Sequence, residues 1–251
     1  MLEESAAGGI LTLRLARPPV NALNGALLDR LQAAIEAAPR RGLRGVLLTG
    51  ARGRFSAGLD VPELLGLDRA GIAGLWRSFL GCLTSMAASP IPLVAAINGH
   101  SPAGGAVLAL YCDRRVMARG DYRIGLNEVQ VGLFPGPTIY RVLERVVGAR
   151  HAAALLPAGA LLSPEEAFAV GFVDELDAPE EIEARARAWL EGMLALPPLA
   201  YARTRALVRA DLVAIMRSLT ERDFELMTES WFSAETQATL RALVARLKRA
   251  P

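Results

Sequence analysis

The chain has 251 residues, of which 52% are hydrophobic, and its formal net charge is +2. This length suits one domain, or one domain with a helical appendage, and the near balance of charge gives no case for binding nucleic acid. Lys248 is the only lysine, which excludes a P-loop lysine and argues against a Schiff-base lysine. Cys82 and Cys112 stand alone, without metal-ligand or disulfide-framework spacing.

Two features bear on where the protein works. Residues 1–4 are acidic and lack the basic region of a signal peptide. The apolar stretch 91–97 ends at Asn98 and His100, and it is too short to span a bilayer. We therefore expect a soluble, cytoplasmic protein without a membrane partner.

The first two thirds of the chain alternate predicted strands with predicted helices. Residues 10–15 alternate apolar and polar side chains, which is typical of a half-buried strand. The apolar spacing predicts further strands at 46–49, 93–97 and 114–118, and helices at 25–38, 60–67, 70–88, 103–111 and 139–147. Such repetition favours stacked parallel strands joined by crossover helices.

From Pro179 onward the pattern is almost entirely helical. Helical spacing covers 182–194, 199–216 and 234–247, with a break at the prolines 197 and 198 and a predicted cap at Ser233. We divide the chain into a core that carries the site, residues 1–178, and a helical region, residues 179–251. The arginines of these helices are predicted to form a solvated face, with contacts to an anionic ligand or a neighbouring subunit as the alternative.

Two glycine-containing loops lead from predicted strands into helices. Residues 55–60 read FSAGLD, and residues 103–105 read AGG. Glycine allows a sharp turn, which leaves the first N–H groups of the following helix without partners. Two such donors from separate loops can meet at one oxygen atom and stabilise negative charge that develops there. Each loop alone is more typical of an ordinary turn without a ligand, whereas the two loops together with a carboxylate further along the chain are more specific.

Glu128 lies in the segment 124–129, IGLNEV, among apolar and amide side chains. An oxyanion hole and a single base are what proton transfer beside a carbonyl requires. The apolar side chains of Leu126, Val129 and Val107 are expected to raise the pKa of Glu128. Asn127 is expected either to hydrogen-bond near this carboxylate or to cap the backbone.

Other chemistries find little support in the sequence. His100 and His151 have no second ligand at metal spacing, so we expect no metal site and a structural role for His100 in its loop. Neither a G-x-S-x-G elbow nor a G-x-G-x-x-G fingerprint occurs, which argues against a serine hydrolase and an NAD enzyme. Asp113 follows a predicted buried helix and is expected to hold the fold.

The motifs resemble those of the enoyl-CoA hydratase/isomerase (crotonase) superfamily. The resemblance is carried by FSAGLD at 55–60, INGxxPAGG at 97–105 and IGLNExQxGL at 124–133, and SPEEAFAVGFVDE at 163–175 also fits. Within the superfamily the likeness is greatest to the short-chain Δ3,Δ2-enoyl-CoA isomerases of fatty-acid β-oxidation. It implies an α/β crotonase (ClpP-like) spiral of ββα units with a C-terminal helical trimerisation region.

The resemblance implies a role for each catalytic position. The N–H groups of Leu59 and Gly104 would form the oxyanion hole for a thioester carbonyl, and Glu128 matches the family's catalytic carboxylate. Hydratases carry a second glutamate three residues after the oxyanion glycine, a place that Val107 occupies here. Because hydration needs two carboxylates and a double-bond shift needs one, Val107 favours the isomerase.

Contacts with coenzyme A are expected from the same loops and from the C-terminal helices. The backbone of Ser56 and Ala57 would meet the adenine, with Gly58 and Gly105 completing the loops. Arg54 and its neighbour Arg52 would bind phosphates or remain solvated loop charges.

Aromatic side chains supply the remaining candidates. Trp231 or Phe232 would pack beside the adenine from a neighbouring subunit, but a lysine that the family carries nearby is missing, which leaves the 3′-phosphate contact in doubt. Trp76, Phe79 and Phe134 are predicted to be core residues first and lining of an acyl tunnel only as the alternative.

The sequence thus predicts a Δ3,Δ2-enoyl-CoA isomerase that uses acyl-CoA and no separate cofactor and forms a homotrimer or hexamer. Two alternatives stay open at this point. One is another reaction of the superfamily, such as hydration or thioester hydrolysis, with Glu128 activating water. The other is a CoA-binding subunit with weak or no catalysis.

Overall fold

Two sheets of mostly parallel strands organise the first two thirds of the chain. The computed structural model describes residues 1–247. In this part the strands are β1 (Leu2–Ala7), β2 (Ile10–Leu15), β3 (Gly45–Thr49), β4 (Gly53–Arg54), β5 (Leu93–Ile97), β6 (Gly99–Pro102), β7 (Arg114–Ala118), β8 (Ile124–Gly125) and β9 (Glu175–Asp177). The larger sheet has the order β1-β2-β3-β5-β7-β9, and the smaller has the order β4-β6-β8. Every neighbouring pair is parallel except β1 with β2.

Helices connect the strands and make up most of the C-terminal third. They are α1 (Gly25–Arg40), α2 (Val61–Leu64), α3 (Arg69–Ala88), α4 (Gly104–Tyr111), α5 (Gly136–Ala158), α6 (Pro164–Ala169), α7 (Ile182–Leu194), α8 (Pro198–Val208), α9 (Ala210–Arg217), α10 (Glu221–Trp231) and α11 (Ala234–Leu247). A 3₁₀ turn spans Glu128–Val131. None of the helices within residues 1–247 is long and apolar enough to cross a membrane.

The chain climbs as a spiral in which each turn adds one strand to each sheet. β3 is followed by β4, β5 by β6 and β7 by β8, and helices then return the chain to the next long strand. The turns stack closely at Gly99, where a Cβ atom would overlap the backbone of Gly53. At the same corner the Asn98 amide accepts a hydrogen bond from Gly50 N–H at 3.0 Å and donates one to Thr49 at 2.9 Å. This is the crotonase fold that the resemblance implied.

The predicted alternation of parallel strands and crossover helices is confirmed, but several short elements were missed. β4, β6 and β8 have two to four residues each, rich in glycine, and pair only because the spiral stacks them. The first strand, β1, is polar and mostly exposed, so it carries no apolar signal. The predicted helix 199–216 is two helices, α8 and α9, that meet at Arg209. The predicted cap is present, since Ser233 Oγ accepts from Thr236 N–H at 3.2 Å.

The C-terminal helices pack on the spiral. Ile182, Ala186 and Leu190 of α7 are buried against Ile10 and Leu47 of the larger sheet. A second set of buried side chains from α9, α10 and α11 joins the main core: Leu212, Met216, Trp231 and Leu240. The division of the chain into a core, residues 1–178, and a helical region, residues 179–251, stays a proposal. Whether or not the helical region is a separate domain, α7 covers one face of the larger sheet.

Two arginines of this helical region are buried, contrary to the predicted solvated face. Arg205 and Arg209 bind the two carboxylate oxygens of Asp113, each at 3.0 Å. Arg209 also donates to the carbonyl of Tyr111, the last residue of α4, at 2.6 Å. Arg205 donates to three carbonyl groups at the end of α3, those of Met86, Ala87 and Ser89. The unpaired carbonyls that end a helix attract such cations, and Asp113 holds the fold as expected.

Candidate active site

A cavity of about 530 Å³ lies where the two glycine-containing loops approach each other. Its lining includes Leu59, Gly104 and Glu128, the three residues for which a catalytic role is expected. Apolar side chains make up most of the rest: Val61, Trp76, Phe79, Leu80, Val131, Leu133, Phe134, Ile139, Met227, Leu243 and Leu247. A mainly apolar pocket with a few polar groups is the usual form of a small-molecule site.

Leu59 N–H is left free by the loop that contains it. Gly58 adopts a φ of +82°, a conformation that favours glycine. The carbonyl of Gly58 accepts from Leu23 N–H at 2.7 Å, and Asp60 N–H donates to the carbonyl of Leu23 at 2.9 Å. Between these two bonds, Leu59 N–H has no acceptor within residues 1–247. It is available to a bound oxygen atom.

The second loop leaves Gly104 N–H free in the same way. Ala103 has a φ of +47° and a ψ of −124°, which is strained for a residue with a side chain, and α4 begins directly after it. Gly104 N–H has no acceptor in the described part of the chain. A Cβ atom on Gly58 would lie 3.2 Å from the nitrogen of Gly104, so the two loops are in contact. Both free N–H groups therefore belong to residues that line the same cavity, which is what the expected oxyanion hole requires.

Glu128 is the buried carboxylate of the cavity, with 8% of its surface exposed. Burial disfavours the charged form and raises the pKa of Glu128 to about 7, from an ordinary value of 4.5. Oε2 of this side chain has no hydrogen-bond partner among the described residues. Leu126 and Val107 are buried as expected, but Val129 is 48% exposed, so its part in the predicted apolar setting is wrong.

Two charged residues of the cavity were not predicted. Asp60 lines it and forms an ion pair with Arg17, with Oδ2 and Nη1 at 2.5 Å. Asp60 is also the N-cap of α2, where it accepts from Glu63 N–H at 3.1 Å. Its position next to Leu59 in the quoted motif was a signal that sequence reasoning passed over.

Asn127 lines the cavity too, and its side chain makes no capping bond, contrary to one of its two expected roles.

The aromatic residues divide between cavity and core. Trp76 and Phe79 of α3 are buried and also line the cavity. Phe134 lines it as well, but 71% of its surface is exposed, so the prediction of a core residue is wrong. It follows Gly132 and Leu133 in a loop, where neighbouring side chains do not enclose it. Met227, Leu243 and Leu247 come from the C-terminal helices, and helical spacing alone gave no signal for this contact.

The residues predicted to contact coenzyme A occupy different places. Ala57 is exposed and lines the cavity. Three others are buried outside the cavity lining: Ser56, Gly58 and Gly105. Val107, also a candidate for substrate contact, is buried outside the lining as well. Arg54 is exposed beyond the lining, and Arg52 pairs with Glu180 at 2.9 Å on the surface. Of these predicted contacts, only Ala57 lies where a ligand in this cavity would touch it.

The two aromatic candidates for the adenine differ in burial. Trp231 is 1% exposed and packs edge-on against Trp76, with ring centroids 6.1 Å apart. It therefore has no free face for an adenine, and the prediction is wrong for this residue. The ring of Phe232 is partly exposed and lies under the Arg69 guanidinium at 5.2 Å, so its role stays a prediction.

The histidine of the glycine-rich loop has a structural place. Nδ1 of His100 accepts from Arg123 N–H at 3.2 Å, and its ring packs edge-on against Tyr122. No group of three or more potential metal ligands occurs within residues 1–247.

Comparison with known proteins agrees with the fold and the site. A family model described as enoyl-CoA hydratase/isomerase matches residues 5–249. The chain therefore belongs to this family, the crotonase superfamily, and is an acyl-CoA enzyme of that class.

Individual relatives include both isomerases and hydratases. The human mitochondrial enoyl-CoA delta isomerase 1 is 35% identical over 99% of this chain and 83% of its own. A protein named probable enoyl-CoA hydratase from Mycobacterium avium is 36% identical over 80% of this chain and 79% of its own. The crystal structure of human mitochondrial delta3-delta2-enoyl-CoA isomerase superposes with a TM-score of 0.94 at 33% identity, covering 99% of this chain and 98% of that one.

Proposed function

We propose that the protein is a Δ3,Δ2-enoyl-CoA isomerase that moves the double bond of a 3-enoyl-CoA to give the trans-2-enoyl-CoA. The observation that carries the proposal is a single unpaired carboxylate in the cavity. Glu128 and Asp60 are the carboxylates of the described lining, and Asp60 is held by Arg17. One free base is what a 1,3 proton shift requires, whereas hydration needs a second group to activate water.

The proposed mechanism uses one proton and one base. The thioester oxygen binds to Leu59 N–H and Gly104 N–H, and the Glu128 carboxylate removes a proton from C2. The electron pair of that C–H bond forms a dienolate whose negative charge rests on the oxygen in the hole. Protonated Glu128 then returns the proton to C4, and the double bond ends between C2 and C3. A pKa of about 7 suits both steps, since the group must accept and release a proton at neutral pH.

The proposal extends to the rest of the predicted site. Coenzyme A enters as part of the substrate, and no separate cofactor is needed. Phe232, Arg52 and Arg54 remain candidates for contacts with its adenosine phosphate end. A homotrimer or hexamer is part of the proposal, and the exposed apolar residues Leu199 and Leu207 of α8 are consistent with a subunit contact there.

The first test is a product assay with 3-hexenoyl-CoA and, separately, 2-hexenoyl-CoA. We expect the wild type to form 2-enoyl-CoA from the first substrate and no 3-hydroxyacyl-CoA from the second. Glu128→Gln is expected to lower kcat by roughly 10²- to 10⁴-fold, because general acid–base catalysis contributes about that much. Glu165→Gln serves as a control, since Glu165 pairs with Arg119 on the surface.

An isotope label sharpens the assay. With deuterium at C2 of the substrate, a shuttle through buried Glu128 predicts that part of the label appears at C4. Efficient hydration or release of free CoA would favour the alternatives, of which hydration is supported by the Mycobacterium avium relative. Tight binding of acyl-CoA without turnover would indicate a binding subunit.

A further inference from the structure

The segment 17–24 runs alongside the loop that carries Leu59 and is hydrogen-bonded to it both before and after Leu59. Ala57 N–H donates to the carbonyl of Val20 at 3.0 Å. Beyond Leu59, Asp60 N–H donates to the carbonyl of Leu23 at 2.9 Å. This segment thus accepts from Ala57 N–H and Asp60 N–H, and Gly58 N–H donates to Ser56 Oγ at 3.2 Å, so that Leu59 N–H is the one left for a ligand.

Asn21 is the centre of this linkage. Its side chain is buried, and its amide nitrogen donates to the carbonyls of Arg54 at 3.3 Å and Phe55 at 3.2 Å. Its amide oxygen accepts from Arg17 N–H at 2.9 Å, which fixes the amide's orientation. Asn21 therefore joins the start of its own segment to the start of the Leu59 loop.

A second set of bonds leads from the backbone of Asn21 to the oxyanion loop. Ser56 Oγ donates to the carbonyl of Asn21 at 2.8 Å and accepts from Gly58 N–H at 3.2 Å. Asn21 itself has a φ of +53°, a left-handed conformation that asparagine tolerates better than most residues. In this conformation both the side chain and the carbonyl of Asn21 contact the loop that carries Leu59.

We propose that Asn21 is a positioning residue that fixes the direction of Leu59 N–H in the oxyanion hole. The inference rests on the proposed function, because it assumes that Leu59 N–H binds the thioester oxygen. Donors of an oxyanion hole act within a narrow range of distances, and a displacement of about 1 Å can cost roughly 100-fold in rate. Neither the amide of Asn21 nor Ser56 needs to touch the substrate for this effect.

The decisive variant is Asn21→Gly, which removes the amide and keeps the left-handed backbone accessible. Asn21→Asp keeps the acceptor for Arg17 N–H but sets a carboxylate oxygen against the carbonyls of Arg54 and Phe55. Ser56→Ala breaks the second set of bonds without changing Asn21. Ser89→Ala is the matched control. Ser89 is a buried serine whose hydroxyl bonds, within residues 1–247, only to the backbone of Ile91, and it is far in sequence from both Asn21 and the Leu59 loop.

Three readouts are taken for each variant: kcat and KM with 3-hexenoyl-CoA, the thermal midpoint, and the enolate absorbance of bound acetoacetyl-CoA. We expect Asn21→Gly and Asn21→Asp to lower kcat by about 10- to 100-fold with little change in KM, because the loss falls on the transition state. The enolate absorbance of bound acetoacetyl-CoA should decrease in parallel, since the negative charge of the enolate rests on the thioester oxygen that Leu59 N–H binds. Ser56→Ala should show a smaller loss in the same direction.

The inference is overturned if Asn21→Gly keeps the wild-type kcat, or if its loss matches that of Ser89→Ala at the same thermal midpoint. Should Asn21→Gly fail to fold, Ser56→Ala decides in the same way. Failure of the proposed function is a separate result. A wild type that does not isomerise 3-hexenoyl-CoA would contradict that function, while the acetoacetyl-CoA enolate would still report on the hole.

Discussion

Glu128 combines a position on a reactive cavity with an environment that opposes its charge. Its carboxylate is buried among apolar groups, and no arginine binds it among the described residues. Asp60, in the same cavity, is instead held by Arg17. Two carboxylates with such different surroundings are suited to different tasks, one to proton transfer and one to structure.

The burial of Glu128 predicts a pH-dependent cost in stability. In the unfolded chain the carboxyl ionises near pH 4.5, and in the folded chain at about 7. The contribution of Glu128 to stability should therefore fall as pH rises through this window and be constant above it, with a total cost of about 3 kcal/mol. Glu128→Gln does not titrate, so its free energy of unfolding in urea should exceed that of the wild type by about this amount at pH 8 and not at pH 4.

The exposed Glu165→Gln variant provides the reference at both pH values. An equal difference between Glu128→Gln and wild type at pH 8 and pH 4 would contradict the raised pKa.

At the scale of elements, the end of one helix is coupled to the site at the beginning of another. α4 begins at Gly104 in the cavity and ends at Tyr111, whose carbonyl is bound by Arg209. Arg205 binds the carbonyls that end α3, the helix that supplies Trp76 and Phe79 to the cavity. Asp113 joins the two arginines, so the C-terminal helices fix both α3 and α4.

Arg205→Met tests this coupling. The substitution keeps an apolar stem of similar length. It leaves Asp113 with Arg209 as its remaining cationic partner and leaves the carbonyls at the end of α3 without their donor. We expect the free energy of unfolding to fall by about 3–5 kcal/mol, as when one partner of a buried ion pair is removed. Arg203→Met, on the exposed side of the same helix, should change it by less than about 0.5 kcal/mol. Equal effects of the two variants in urea unfolding would contradict the assignment.

At the scale of the whole molecule, the sheet and the C-terminal helices share buried surface. α7 covers one side of the larger sheet, α9 to α11 add to the main core, and α10 and α11 also add to the cavity wall. A site lined by both parts of the chain depends on both being folded.

Leu190→Ala tests whether the two parts unfold together. Leu190 is buried between α7 and the sheet, so its truncation should lower the free energy of unfolding by about 2–5 kcal/mol. We expect one transition, seen alike by circular dichroism and calorimetry, moved to a lower midpoint. Leu226→Ala, at an exposed position of α10, should leave it nearly unchanged. A separate early transition in Leu190→Ala would indicate that residues 179–247 unfold as an independent domain.

The family and the outline of the candidate site could be predicted from the sequence because they depend on local signals. Gly58 and Gly104 mark turns before helices, Glu128 stands in a distinctive segment, and the alternation of strands and helices follows from apolar spacing. The short strands carried too few residues for a periodic signal. The predicted burial of Phe134 and the predicted adenine contact of Trp231 were wrong, because aromatic side chains occur in the core, in cavity walls and on the surface alike.

By itself, the sequence determined the class of fold, the family and the candidate base, since short motifs fix backbone turns and chemical groups within a few residues. Only the tertiary structure decided which side chains face the cavity. Arg17 and Met227 reach it from segments distant from the motifs, while Ser56 and Val107 turn away from it into the protein. The reason is physical: burial and charge pairing depend on distances between segments far apart in the chain, which local spacing does not encode.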